Sequence, residues 1–73
     1  MSIHDRIMQK IDDHFKRHQR YPTTLYIGYR LMGELREYCQ ARSLFIYGDH
    51  GYKEYGGCKI IEVTTESTHL SVS

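Results

Sequence analysis

The stretch "YGGCKIIEVTTESTHLSV", residues 55–72, decides the reading of the fold. Cys58 and Ile60 fall on one face of an alternating strand, Ile61 and Val63 on the other. "TES" at 65–67 is turn chemistry, and "HLSV" at 69–72 returns with Leu70 and Val72 inward. Pattern and turn together predict a hairpin of 58–63 with 69–72. The return strand ends the sequence given, which places it at a sheet edge, open to pairing with a partner strand.

Working outward, "GDHGYKEYGG" at 48–57 holds four glycines in ten residues and reads as a loop or hairpin tip. "SLFIYG" at 43–48 is apolar on both faces, as a covered strand would be. "YRLMGELREYCQAR" at 29–42 carries a helical stripe of Leu31, Leu35, Tyr38, Cys39 and Arg42, with Glu34 and Glu37 outward. "TLYIG" at 24–28 reads as a short strand with Leu25 and Ile27 on one face. The first helix, about 3–19, shows Ile3, Ile7, Ile11 and Phe15 four apart, flanked by Met8 and His18. Ser2 and Asp5 form a capping box, and Pro22 ends the segment. The expected class is α+β, with two helices on one face of a sheet of about four strands, in the order α-β-α-β-β-β.

Seventy-three residues make one small domain, whose core supplies only a few kcal/mol unless something staples it, so self-association is a live route to stability. Cys39 and Cys58 are neither a disulfide framework nor a zinc motif. No apolar run reaches the length of a signal or membrane segment, which points to a cytoplasmic protein without a membrane partner. Residues 1–42 carry eight Lys/Arg against five Asp/Glu, and residues 43–73 two against four. That asymmetry is too mild to require a nucleic-acid partner.

His14 and His18 share a helix face, as metal ligands at i and i+4 do, but the glutamate of a zinc-protease helix is replaced by Phe15 and no spacing supplies a third ligand. The plainer reading is a solvated helix face, with neither metal nor cofactor. Lys16, Arg17 and Arg20 form a basic patch that could contact phosphates with Tyr21, Tyr26 and Tyr29 beside it. Cations at a helix C-terminus explain the same residues without a ligand. Neither cysteine is tied to a histidine, Asp12 and Asp13 diverge on the helix, and no phosphate loop or nucleophile elbow is present. No catalytic residue is assigned, and a non-enzymatic role is expected. Seven tyrosines without tryptophan are rich for this length, and Tyr47, Tyr52 and Tyr55 at the glycine loop are candidates for an interaction surface. Cross-strand filling of the sheet explains them equally.

"YPTTLYIGYRLMGELREYC", the following apolar strand, "YGGCKIIEV" and "THLSV" together resemble small phage- and prophage-encoded proteins. In those, a P-x-x-I/L-Y-L/I-G strand precedes a helix and a G-x-x-I-x-V strand follows. The order also resembles the peripheral domain of phage-type major capsid proteins, although Lys59 stands where that domain has proline. The likeness covers about 21–72 and implies a fold and a phage origin; it transfers no catalytic residue. The expected function is therefore protein–protein interaction or assembly, with nucleic-acid binding through Lys16, Arg17 and Arg20 as the alternative.

Overall fold

The computed structural model describes residues 1–42 and 53–73. Helix α1 (Ile3–His18) begins with the capping box: Ser2 Oγ accepts from the Asp5 amide at 3.2 Å, and the Asp5 carboxylate accepts from the Ser2 amide at 3.3 Å. Hydrogen bonds to the carboxylate, first from the Ser2 amide and then from the Ser2 side chain, hold the Asp5 carboxyl below its ordinary range. The helix stops where Gln19 turns left-handed (φ 58°) and its N–H donates to the Phe15 carbonyl.

Strand β1 (Thr24–Gly28) passes without a linker into helix α2 (Tyr29–Ala41). Strands β2 (Glu54–Tyr55), β3 (Cys58–Val63) and β4 (Leu70–Val72) complete a mixed sheet in the order β2-β3-β1-β4. The α+β class and the element order are as expected. Leu25 and Ile27 of β1 join Cys58 and Ile60 of β3 on one sheet face. Ile3, Ile7 and Ile11 of α1 and Leu31, Met32, Leu35 and Cys39 of α2 cover it. No described polar side chain is buried.

The expected hairpin of 58–63 with 69–72 does not form. β3 runs parallel to β1 (Leu25 beside Ile60), β4 runs antiparallel to β1 (Leu25 beside Val72), and β1 lies between them. The six residues 64–69 step over the end of β1, a span of two strand spacings or about 10 Å, well within the reach of six residues. The link is held where it crosses. The Ser67 carbonyl accepts from the Arg30 and Leu31 amides (3.1 and 3.3 Å) and so caps α2, which has no side-chain cap. Gly28 N–H donates to the His69 carbonyl at 2.7 Å. The His69 ring bonds Glu66 at 2.9 Å through Nδ1 and Ser71 at 2.8 Å through Nε2.

The hairpin that does form joins β2 to β3, across Gly56 and Gly57 with φ 60° and 80°. Two positive-φ residues in a two-residue loop make the mirror-image turn whose twist suits a hairpin. The stretch read as loop to 57 thus contributes a short strand at its end. The strand expected at 43–48 lies outside the described residues.

Candidate functional site

Of the three tyrosines expected to form an interaction surface, the described residues include only Tyr55. Tyr47 and Tyr52 lie outside the described residues. Tyr55 is core rather than surface, only 8 % exposed, because its position on β2 faces the helices. Its hydroxyl bonds His4 Nδ1 at 2.5 Å, and the His4 ring stacks on Tyr38 with centroids 5.3 Å apart. Arg42 lies over the other ring of that pair, 3.8 Å from the Tyr38 centroid. Burial above all, then the nearby Cys39 and Tyr38, pushes the Tyr55 phenol from 10.0 up to about 12. The neutral phenol is therefore the form that folding favours. Its contribution to stability is complete below pH 10 and is lost as pH rises from 10 towards 12. Tyr55→Phe is expected to lower stability at pH 7 by about 1 kcal/mol, the worth of one hydrogen bond. It should also remove the latest component of the ultraviolet tyrosinate titration; an unchanged titration would show that Tyr55 is not the late-ionising group.

Neither thiol is set up as a nucleophile. Cys39 and Cys58 are buried and free, and burial pushes both thiols up. Cys58 Sγ donates to the Pro22 carbonyl at 3.5 Å, a packing role.

The feature that no single motif announced is a cleft of about 230 Å³ between the C-terminal half of α1 and β4. Lys10, His14, Arg17 and His18 line it from the helix, with Asp13, and Ser71 and Val72 line it from the strand. Its origin is in the sequence of α1. The inward stripe Ile3-Ile7-Ile11 continues by helical spacing to positions 14 and 18, where it becomes histidine. Apolar packing under the helix therefore gives way to a polar wall beside the sheet edge. The two rings lie 4.5 Å apart, centroid to centroid. Partial desolvation first, then the charges of His18 and Arg20, hold His14 below the ordinary imidazole value. No group of three metal-ligating side chains exists among the described residues, so the pair has no third ligand there.

The basic patch is divided by the helix. Arg17 faces the cleft with Lys10, whereas Lys16 turns away and pairs with Asp12 at 2.9 Å. Arg20 lies beyond the helix end and reaches His14 only through its charge.

The floor of the cleft is a sheet edge. β4 is last in the strand order. Thr24 and Ser73 exchange both backbone hydrogen bonds, at 3.0 Å each, and Gly28 bonds to His69. In an antiparallel ladder this alternation turns the N–H and C=O groups of Leu70 and Val72 away from β1. They bond to no described residue. The edge position of the last strand is thus as expected from sequence, although its neighbour is β1.

The chain matches no protein-family model, no curated protein and no solved structure. No helix among the described residues is long and apolar enough to cross a membrane.

Proposed function

We propose that this protein is a non-enzymatic protein–protein interaction module whose recognition element is the outer edge of β4, which pairs with no other described strand. The observation that carries the reading is the pair of outward-facing peptide groups at Leu70 and Val72, at the end of the sheet and beside an open cleft. An extended partner segment laid against such an edge gains main-chain hydrogen bonds along its length. Natural sheets protect unused edges with prolines, bulges or lysines, and Leu70-Ser71-Val72 carries none of these. The resemblance to phage-type capsid domains points to the same class of role, assembly rather than catalysis.

The test uses a proline, which removes one outward donor and is tolerated on the solvent side of an edge strand. A photo-crosslinking residue at Ser71 first identifies the partner in cells of origin. Val72→Pro is then expected to keep its helical circular dichroism and cooperative melting while binding that partner at least about tenfold more weakly, a loss of roughly one main-chain hydrogen bond. Undiminished binding by folded Val72→Pro would refute the reading.

The nucleic-acid reading is the weaker one, because Lys16 is tied to Asp12 and the three cations expected to act together do not share a face. It predicts binding that falls steeply with salt and is lost on neutralising Lys16, Arg17 and Arg20.

A further inference from the structure

We infer that the occupant of the cleft is an extended acidic peptide segment, which adds to the sheet beside β4 and sets its acidic side chains against α1. This rests on the edge-recognition reading and names the partner's chemistry.

Three observations select that occupant. First, the edge presents donors and acceptors alternately, at Leu70 and Val72. A peptide backbone matches both, whereas a phosphodiester backbone has no N–H to offer the two carbonyls. Second, the helix wall above the edge is cationic. Lys10 and Arg17 stand against a single carboxylate, Asp13, and β4 brings only the uncharged Ser71 and Val72 to the cleft. Lys10 and Arg17 are seven residues apart, about 10 Å along the helix. Alternate side chains of an added strand repeat every ~7 Å, so two or three acidic residues at every second position span the wall. Third, a second copy of this chain fits poorly: pairing β4 with β4 would crowd Lys10 and Arg17 of both copies against one another, and like charges so placed oppose association.

The histidines add a pH dependence with a definite sign. Partial desolvation, then the charges of His18 and Arg20, disfavour a proton on His14 in the free protein, and among the described residues Asp13 is the carboxylate that lines the cleft with it. Carboxylates arriving from the partner favour protonation of His14, so binding takes up protons and tightens as pH falls through the imidazole range.

The experiment titrates the isotope-labelled full chain with three capped heptapeptides, TEVEVET, TSVSVST and TKVKVKT, following backbone amide shifts by NMR. The glutamate peptide is expected to shift the amides of Leu70 and Val72, and to bind at least about tenfold more tightly than the serine peptide. Its binding should tighten between pH 7.5 and 6. The double charge reversal Lys10→Glu with Arg17→Glu, on the exposed helix face, is expected to invert the preference towards the lysine peptide. Circular dichroism confirms that this variant folds.

Equal binding of the serine and glutamate peptides at β4 would overturn the acidic partner and leave edge recognition standing. Absence of β4 shifts with every peptide at millimolar concentration would overturn both. Shifts confined to α1 would reject strand addition. Displacement of the glutamate peptide by a single-stranded oligonucleotide of lower dissociation constant would assign the cleft to nucleic acid. β4 shifts that grow with protein concentration alone would assign it to a second copy.

Discussion

Gly28→Ala is expected to be among the most damaging substitutions in this protein, costing about 3 kcal/mol, the upper part of the range for overpacking a closed site. A Cβ at Gly28 would stand 2.6 Å from Glu66 O and from the carbonyl carbon and oxygen of Ser67. These are backbone atoms and cannot swing aside as a side-chain tip does. The backbone of Gly28 is ordinary (φ −65°), so alanine meets no conformational objection and the whole effect is steric. To make room, the link 64–69 must lift from β1. That movement breaks the Ser67 cap on α2 and the Gly28–His69 bond, and β4 follows. Urea unfolding at 25 °C checks this. Since a domain of this size holds only about 3–5 kcal/mol in total, the variant should retain at most about 2 kcal/mol and unfold at much lower urea. Gly33→Ala is the control: nothing lies within 4 Å of its added Cβ in the middle of α2. Helix propensity should make that variant more stable by about 0.5–1 kcal/mol. A Gly28→Ala protein as stable as wild type would show that the crossing link is not seated on β1.

Leu25→Ala is expected to cost about 2–5 kcal/mol, the range for emptying a closed core site. Leu25 is fully buried on the central strand, with Ile60 beside it on β3 and Val72 beside it on β4. The helices cover it from above, so the neighbours have little freedom to collapse into the space. Equilibrium denaturation should show a lower midpoint with an unchanged slope. A loss below about 1 kcal/mol would mean that the site relaxes, contrary to a rigid three-strand contact. Because β1 is the described strand that β4 pairs with, partial unfolding of Leu25→Ala should appear first as faster exchange of the Ser73 amide, which donates to the Thr24 carbonyl.

Much of this architecture is legible from local pattern. Ile3, Ile7 and Ile11 at helical spacing, the Ser2–Asp5 capping box and Pro22 mark α1 to within a residue, because capping and periodicity act within a few positions of the chain. The alternation of Cys58, Lys59 and Ile60 marks β3 and its inward face for the same reason. The candidate site is less legible. The pairing of His14 and His18 on one helix face is visible in the sequence, and so is an edge position for the last strand. That the two face each other across one cleft is not, because α1 and β4 lie at opposite ends of the chain and no local rule relates them. Tyr55 illustrates the converse. A tyrosine next to two glycines suggests an exposed tip, yet the Gly56–Gly57 turn is tight enough to leave the ring under the helices against His4.

By itself, then, the sequence determined the class, both helices with their buried stripes, and the strands 24–28 and 58–63, since those follow from propensity, period and capping within short windows. Strand pairing was decided only by tertiary structure. A six-residue link permits either a hairpin or a step over one strand, and its own composition does not choose between them. The choice is made by Gly28, far away in sequence, whose missing side chain lets the link cross close enough to cap α2. The same crossing carries β4 to the outer edge, where Leu70 and Val72 meet the cationic wall of α1.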